Sequence, residues 1–250
     1  MARRRDWVEL GDEALLDVRL CDLDLRIART PLAPRLARLA RELAAAGVDR
    51  FHPYAWLSTG WFTPHGTTGF AIPFYLAHPR LARLERRIMG EVEGDSERAC
   101  MRLLRHELAH ALDHAYRLHR RRSWREQFGP FGQPYRASYR PRPGSRRFVV
   151  NLPHGYAQSH PGEDWAETFA VWLAPGSRWT SRYAGWPALR KLRYVDELMR
   201  EIAGRPPVVR TCERTDALAE LRFPLREYYR RKRARRERVL GGRGAGEYLR

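Results

Sequence analysis

Apolar and polar positions alternate in recognisable periods along most of the chain. Residues 20–27 place Cys21, Leu23, Leu25 and Ile27 on one side and Asp22, Asp24 and Arg26 on the other. That period of two predicts a half-buried strand. Residues 34–46 carry Leu36, Leu39 and Leu43 at helical spacing and end at Gly47, a natural helix stop. The aromatic-rich runs 51–61 and 69–77 read as strands, separated by the turn residues Thr63, Pro64, His65 and Gly66. Pro73 favours an edge position for the second, because proline offers no N–H to a ladder. Residues 79–92 are helical in pattern. A further helix starts near Asp95 or Ser96, both good caps, and continues through Met101, Leu104, Leu108 and Leu112 on one apolar stripe. Residues 119–147, rich in arginine, proline, glycine and tyrosine, read as a long loop, and 148–152 as a short strand. Pro161 opens a helix that stops before Pro175 and Gly176, and 187–203 is an amphipathic helix ended by Gly204.

Composition narrows the class. At 250 residues with 43% hydrophobic positions, one domain with a real core is expected, together with a tail. No run of about eighteen apolar residues exists, so no membrane span is expected. The three cysteines, Cys21, Cys100 and Cys212, lie far apart and form neither a disulfide framework nor a paired-thiol zinc motif. The basic N-terminus resembles the start of a secretory signal, but Glu9, Asp12, Glu13 and Asp17 interrupt its apolar centre. A soluble protein of a reducing cytoplasm is the expectation.

The formal charge of +18 invites a nucleic-acid reading. Lysine, however, occurs only at Lys191 and Lys232, and an arginine skew of this kind also arises from codon bias in a GC-rich genome. The loop 117–147 carries Arg120, Arg121, Arg122, Arg140, Arg142, Arg146 and Arg147, interleaved with Tyr135 and Tyr139. It reads either as a rim attracting acidic peptides or a phosphate backbone, or as a solvated loop. The basic segment 223–250 reads as an appended helix and frayed tail, open to RNA, DNA or an acidic membrane on the same terms.

The most specific chemical signal is His106-Glu107-Leu108-Ala109-His110. Two histidines four apart on a helix project from one face, so both imidazoles reach a single zinc ion, and the intervening glutamate reaches a water beside it. A third ligand must come from elsewhere in the fold. The best candidate is the helix opened by His160 and Pro161, with Glu163 and Glu167 one turn apart on the same face. Carboxylates that close repel unless a cation or proton donor lies between them. One ligating glutamate, with the second holding the far ring nitrogen of a ligand histidine, resolves the conflict. Alternatively, both glutamates only complement a helix N-terminus. Asp113, seven after His106, either orients a ligand histidine or is a surface aspartate. His114 lies about 80° round the helix from His106 and is not expected to ligate. His160 is a cap or a runner-up ligand. His52, His65, His78, His119 and His154 have no partner spacing. Trp165, Phe169 and Trp172 are expected in the core, and Cys100 is expected to pack.

The run His106 to Asp113, followed by Tyr156 and then Glu163-Asp164-Trp165-Ala166-Glu167-Thr168-Phe169, resembles the gluzincin metallopeptidases of the lethal-factor type. It resembles more closely a bacterial family of zinc-binding metallopeptidases with a His-Pro-x-Glu-Asp-Trp-Ala-Glu-Thr motif. The resemblance extends from about residue 18 to about residue 198, includes the stretch from Ala71 to Pro79, and leaves out the basic tail. It implies an α+β, zincin-like domain over residues 1–222. A small mixed sheet would pack on the HExxH helix and a second, glutamate-bearing helix, with 223–250 appended. It further implies one Zn2+ held by His106, His110 and Glu163, with Glu167 supporting a ligand and Glu107 as general base. Tyr156, seven residues before Glu163, would steady the oxyanion. By analogy with zincins, the strand near 70–76 would be the sheet edge to which an extended peptide substrate adds. The competing expectation, of a different class, is a basic nucleic-acid-associated protein whose zinc site is structural or vestigial.

Overall fold

The computed structural model describes residues 7–135 and 139–241; residues 1–6, 136–138 and 242–250, with the N-terminal arginines and the end of the basic tail, lie outside it. The architecture is α+β and mostly helical. In chain order the helices are α1 (Asp12–Leu16), α2 (Leu32–Ala45), α3 (Pro79–Met89), α4 (Glu97–Tyr116) and α5 (Arg122–Phe128). They continue as α6 (Pro161–Leu173), α7 (Trp179–Arg182), α8 (Ala188–Ile202) and α9 (Leu225–Gly241). Between α2 and α3 lie β1 (Ala55–Ser58) and β2 (Phe70–Pro73), paired in parallel with Ala55 opposite Phe70 and Ser58 opposite Pro73. Among the described residues no helix is long and apolar enough to cross a membrane.

The helix α4 is the axis of the core. Ser96 caps it, its Oγ accepting from the Ala99 N–H at 3.1 Å, and from Cys100 onward nearly every residue is buried. Its central partner is α6. The entry of α6 is fixed by its own sequence: Pro161 sets the first turn and His160 Nδ1 accepts from the Gly162 N–H at 3.0 Å. Trp165 then donates its indole N–H to the Ala109 carbonyl at 3.0 Å, locking the register of α6 on α4. On one flank, Arg105 of α4 forms a two-pronged ion pair with Glu42 of α2 at 2.7 and 2.8 Å. On the other, Asp164 of α6 pairs with Lys191 of α8 in the interior, and that ammonium also lies 4.4 Å from the Phe148 ring. Burial pushes the Asp164 carboxyl up to about 7 against the pull of Lys191.

Several expected elements take another form. Residues 20–27 are not a strand: they make 3-10 turns at Leu20–Leu23 and Ile27–Arg29, separated by Asp24 with φ +48°. Alternation needs a neighbouring strand, and here only the Leu20 and Cys21 N–H groups find one segment, at the carbonyls of Phe223 and Leu221. Residues 148–152 are not a strand either. The Val150 N–H goes to the Tyr183 hydroxyl and the Leu152 N–H to the Glu167 carboxylate, so side chains take the donors a ladder would use. The loop 119–147 contains α5, anchored by buried Trp124 and Phe128. Finally, β2 is not a free edge. Phe70 N–H bonds the Tyr54 carbonyl on one side and Ala71 N–H bonds the Phe62 carbonyl on the other, while all four β2 residues are buried. Phe62 therefore covers the second side of β2, and Thr63 beside it reaches Glu107 of α4.

Candidate metal centre

The helix α4 delivers His106 and His110 one turn apart, and α6 brings Glu163 against them. His106 Nε2 is 3.2 Å from His110 Nε2 and 3.0 Å from Glu163 Oε2, and His110 Nε2 is 3.3 Å from the same oxygen. All three residues are buried or nearly so. Among the described residues this is the group of histidine, cysteine and acidic side chains whose donor atoms converge within 4.8 Å.

The donor chemistry fits a zinc ion. Bonds of about 2.0–2.1 Å at tetrahedral angles put donor atoms about 3.3 Å apart, close to the separations found. The tautomer agrees. His106 Nδ1 faces Glu167 Oε1 at 2.9 Å, where it donates its N–H, so the Nε2 lone pair points at the Glu163 oxygen and at His110. Lone pairs facing one another in a buried site need a cation or a proton between them. Without an ion the proton serves. Burial opposes charging His106, but Glu163 and Glu167 outweigh it and raise its pKa to about 10. Burial likewise works against the Glu163 carboxylate, yet the two histidines hold its pKa well below the usual range.

Glu167 has no freedom to move. Besides His106, it accepts from Asn151 Nδ2 at 2.9 Å and from the Leu152 N–H at 2.6 Å. Glu107 is buried beside the convergent donors, and Thr63 Oγ1 donates to its Oε2 at 2.8 Å. Burial raises the Glu107 pKa, against the pull of His106 and His110 and the Thr63 hydrogen bond. Tyr156 lies in the turn before α6, buried, with its ring 5.6 Å from that of His106.

Asp113 does not support a ligand histidine. It is buried and accepts from the His119 backbone N–H at 2.7 Å and His119 Nδ1 at 2.8 Å, holding the chain where α4 ends. The αL residue Arg117 turns the backbone there, which brings His119 back to Asp113. His160 is the α6 cap, its Nε2 bonded to the Gln133 carbonyl at 3.0 Å, and not a ligand. His114 is turned away as well, donating from Nδ1 to the Thr67 carbonyl at 3.0 Å. Burial pushes its pKa down to about 4.

Three residues escaped the sequence reading. Thr63 and Asn151 reach the site from irregular segments with no periodicity. Tyr135, noticed only as an aromatic in a basic loop, donates its hydroxyl to Glu163 Oε1 at 2.8 Å. Its ring is stacked on His160 with centroids 3.8 Å apart. The only available signal was its place in a chain segment lying between the two metal-ligand motifs.

Residues 81–179, which run from α3 to the start of α7, match the model of a family described as "Putative zinc-binding metallo-peptidase". Over that stretch the chain is similar to that family, and both helices that carry the convergent side chains, α4 and α6, lie within it. Searches of curated proteins and of solved structures return no match.

Proposed function

We propose that the chain is a zinc-dependent metallopeptidase of gluzincin type, with the ion held by His106, His110 and Glu163. The observation that carries this reading is the convergence of His106 Nε2, His110 Nε2 and Glu163 Oε2 at 3.0–3.3 Å, with Glu107 buried alongside. A zinc ion there supplies a Lewis acid for a peptide carbonyl and acidifies water toward neutrality.

The chain's own residues do the rest. Glu107 takes a proton from the attacking water and returns it to the leaving amine nitrogen. Its raised pKa suits both halves of that task, and the Thr63 hydroxyl fixes one of its oxygens, leaving the other to take the proton. Glu167 holds His106 in the tautomer that presents Nε2. Tyr135 holds Glu163 Oε1, which leaves Oε2 as the ligating atom. Tyr156 is assigned the carbonyl oxygen, to which its hydroxyl donates as negative charge develops.

The test is Glu107→Gln against the native chain, with zinc content and hydrolysis of a peptide library measured together. Zinc should be retained and hydrolysis should fall by at least about 100-fold, the usual worth of a general base. Equal zinc in both proteins with hydrolysis by neither would overturn the peptidase reading and spare the metal site.

A further inference from the structure

Beside the metal centre lies a cavity of about 1090 Å3, walled by the segment 59–64, the turn 152–154, the start of α4 and the inner side of α9. Thr63 belongs to that wall and also holds Glu107, so a single residue separates the cavity from the proposed general base, which does not itself line it. The cations that α9 contributes are mostly answered. Lys232 pairs with Glu85 at 2.5 Å, Arg236 with Glu91 at 3.5 Å, and Arg231 with Glu227 at 2.6 Å. Glu93, another acid of the wall, lies in the field of Lys232.

Arg235 of the same wall has no ion pair among the described residues but is exposed to solvent; Arg102 is not. It sits on α4 one turn before His106 and lines the cavity, half-buried. Among the described residues no hydrogen bond or ion pair reaches it. Its guanidinium has lost part of its hydration and cannot shed its charge. Burial lowers its pKa against the pull of Glu167, and Arg98 and Arg182 add to the lowering. Glu167 gives it no hydrogen bond, being already committed to His106, Asn151 and Leu152. A half-buried, unanswered arginine in a cavity is completed by an anion, and a carboxylate matches its fork in two-pronged fashion.

We propose that Arg102 anchors a carboxylate of the peptide substrate. One helical turn separates it from His106, about 6 Å along the axis. An extended peptide advances about 3.3 Å per residue, and the arginine side chain adds its own reach to that rise, so the carboxylate belongs within a few residues of the scissile bond. It is either an acidic side chain or the substrate's free C-terminus. The inference rests on the metallopeptidase reading above.

Peptide hydroxamates, which chelate an active-site metal without being cleaved, separate the two ideas. The zinc-loaded full chain is titrated with two matched pairs: glutamate against glutamine beside the hydroxamate, and a C-terminal acid against its amide. The carboxylate member of at least one pair should bind about tenfold tighter or better, the ordinary worth of a charge-assisted pair. That preference should vanish in Arg102→Gln, return in part in Arg102→Lys and persist in Arg98→Gln. Unchanged affinity for the neutral hydroxamates shows that the variants are folded. Which pair discriminates tells side chain from C-terminus. Equal affinities in the native chain, or a preference that survives Arg102→Gln, would overturn the inference. Failure of every hydroxamate to bind would overturn the metallopeptidase reading, and this inference with it.

Discussion

Glu163 is held at both oxygens, Oε2 by the two histidines and Oε1 by the Tyr135 hydroxyl at 2.8 Å. A carboxylate fixed in this way would hold the proposed ion through one oxygen and leave room for solvent and substrate. Tyr135 is itself fixed by stacking on His160, the residue that caps α6. Cap, tyrosine and ligand therefore form one chain of contacts. Tyr135→Phe keeps the stack and removes the hydrogen bond. Zinc affinity should fall about 10- to 100-fold in competition with a chromogenic chelator, the usual effect of losing a group that orients a ligand. An unchanged affinity would show that the bond does not position Glu163. At this scale the sequence revealed what helical spacing encodes: His106 and His110 at i and i+4, and Glu163 and Glu167 likewise. Tyr135, Asn151 and Thr63 were illegible because their contacts cross irregular segments, where spacing carries no geometry. Asp113 fits neither alternative open to it, a ligand-orienting or a surface aspartate, because its partner, His119, is reached only through the αL turn at Arg117.

Elements with their own start and stop chemistry were the legible ones. Ser96 and Pro161 mark helix starts that the structure has at those places, whereas the helix expected over 79–92 stops earlier, at Met89, where Gly90 takes the left-handed conformation. Segments whose identity depends on a neighbour were not legible, as residues 20–27 and 148–152 illustrate. The basic segment from 223 is the clearest case. The expected helix is there as α9, but it is not an appendage: Leu225, Tyr228 and Tyr229 are buried, and Lys232 lies 4.6 Å from the Tyr75 ring while paired with Glu85. The arginines hide an apolar side that recurs every three to four residues, as expected of a packed helix. Burial of these three side chains contributes on the order of 5 kcal/mol, comparable with the whole stability of a typical domain. Deleting 223–250 should therefore abolish the cooperative thermal transition, followed by circular dichroism. A truncated chain that melts like the intact one would show that α9 is dispensable to the fold.

Over the whole molecule, charge and composition said least about function. An excess of arginine is compatible with many roles, and part of it is paired within the molecule, Arg105 with Glu42 in the interior and Arg226 with Asp17 and Glu13 at the surface. What the fold adds is convergence: α4 and α6, locked together by Trp165, bring into one buried point residues more than fifty positions apart. The most direct measurement of that point is X-ray absorption at the zinc edge on the purified full-length chain. One zinc per chain, bound by two imidazoles, one carboxylate and a solvent oxygen, is expected, with loss of the metal in His106→Ala. A sulfur neighbour, a fourth protein ligand, or zinc retained in full by His106→Ala would contradict it.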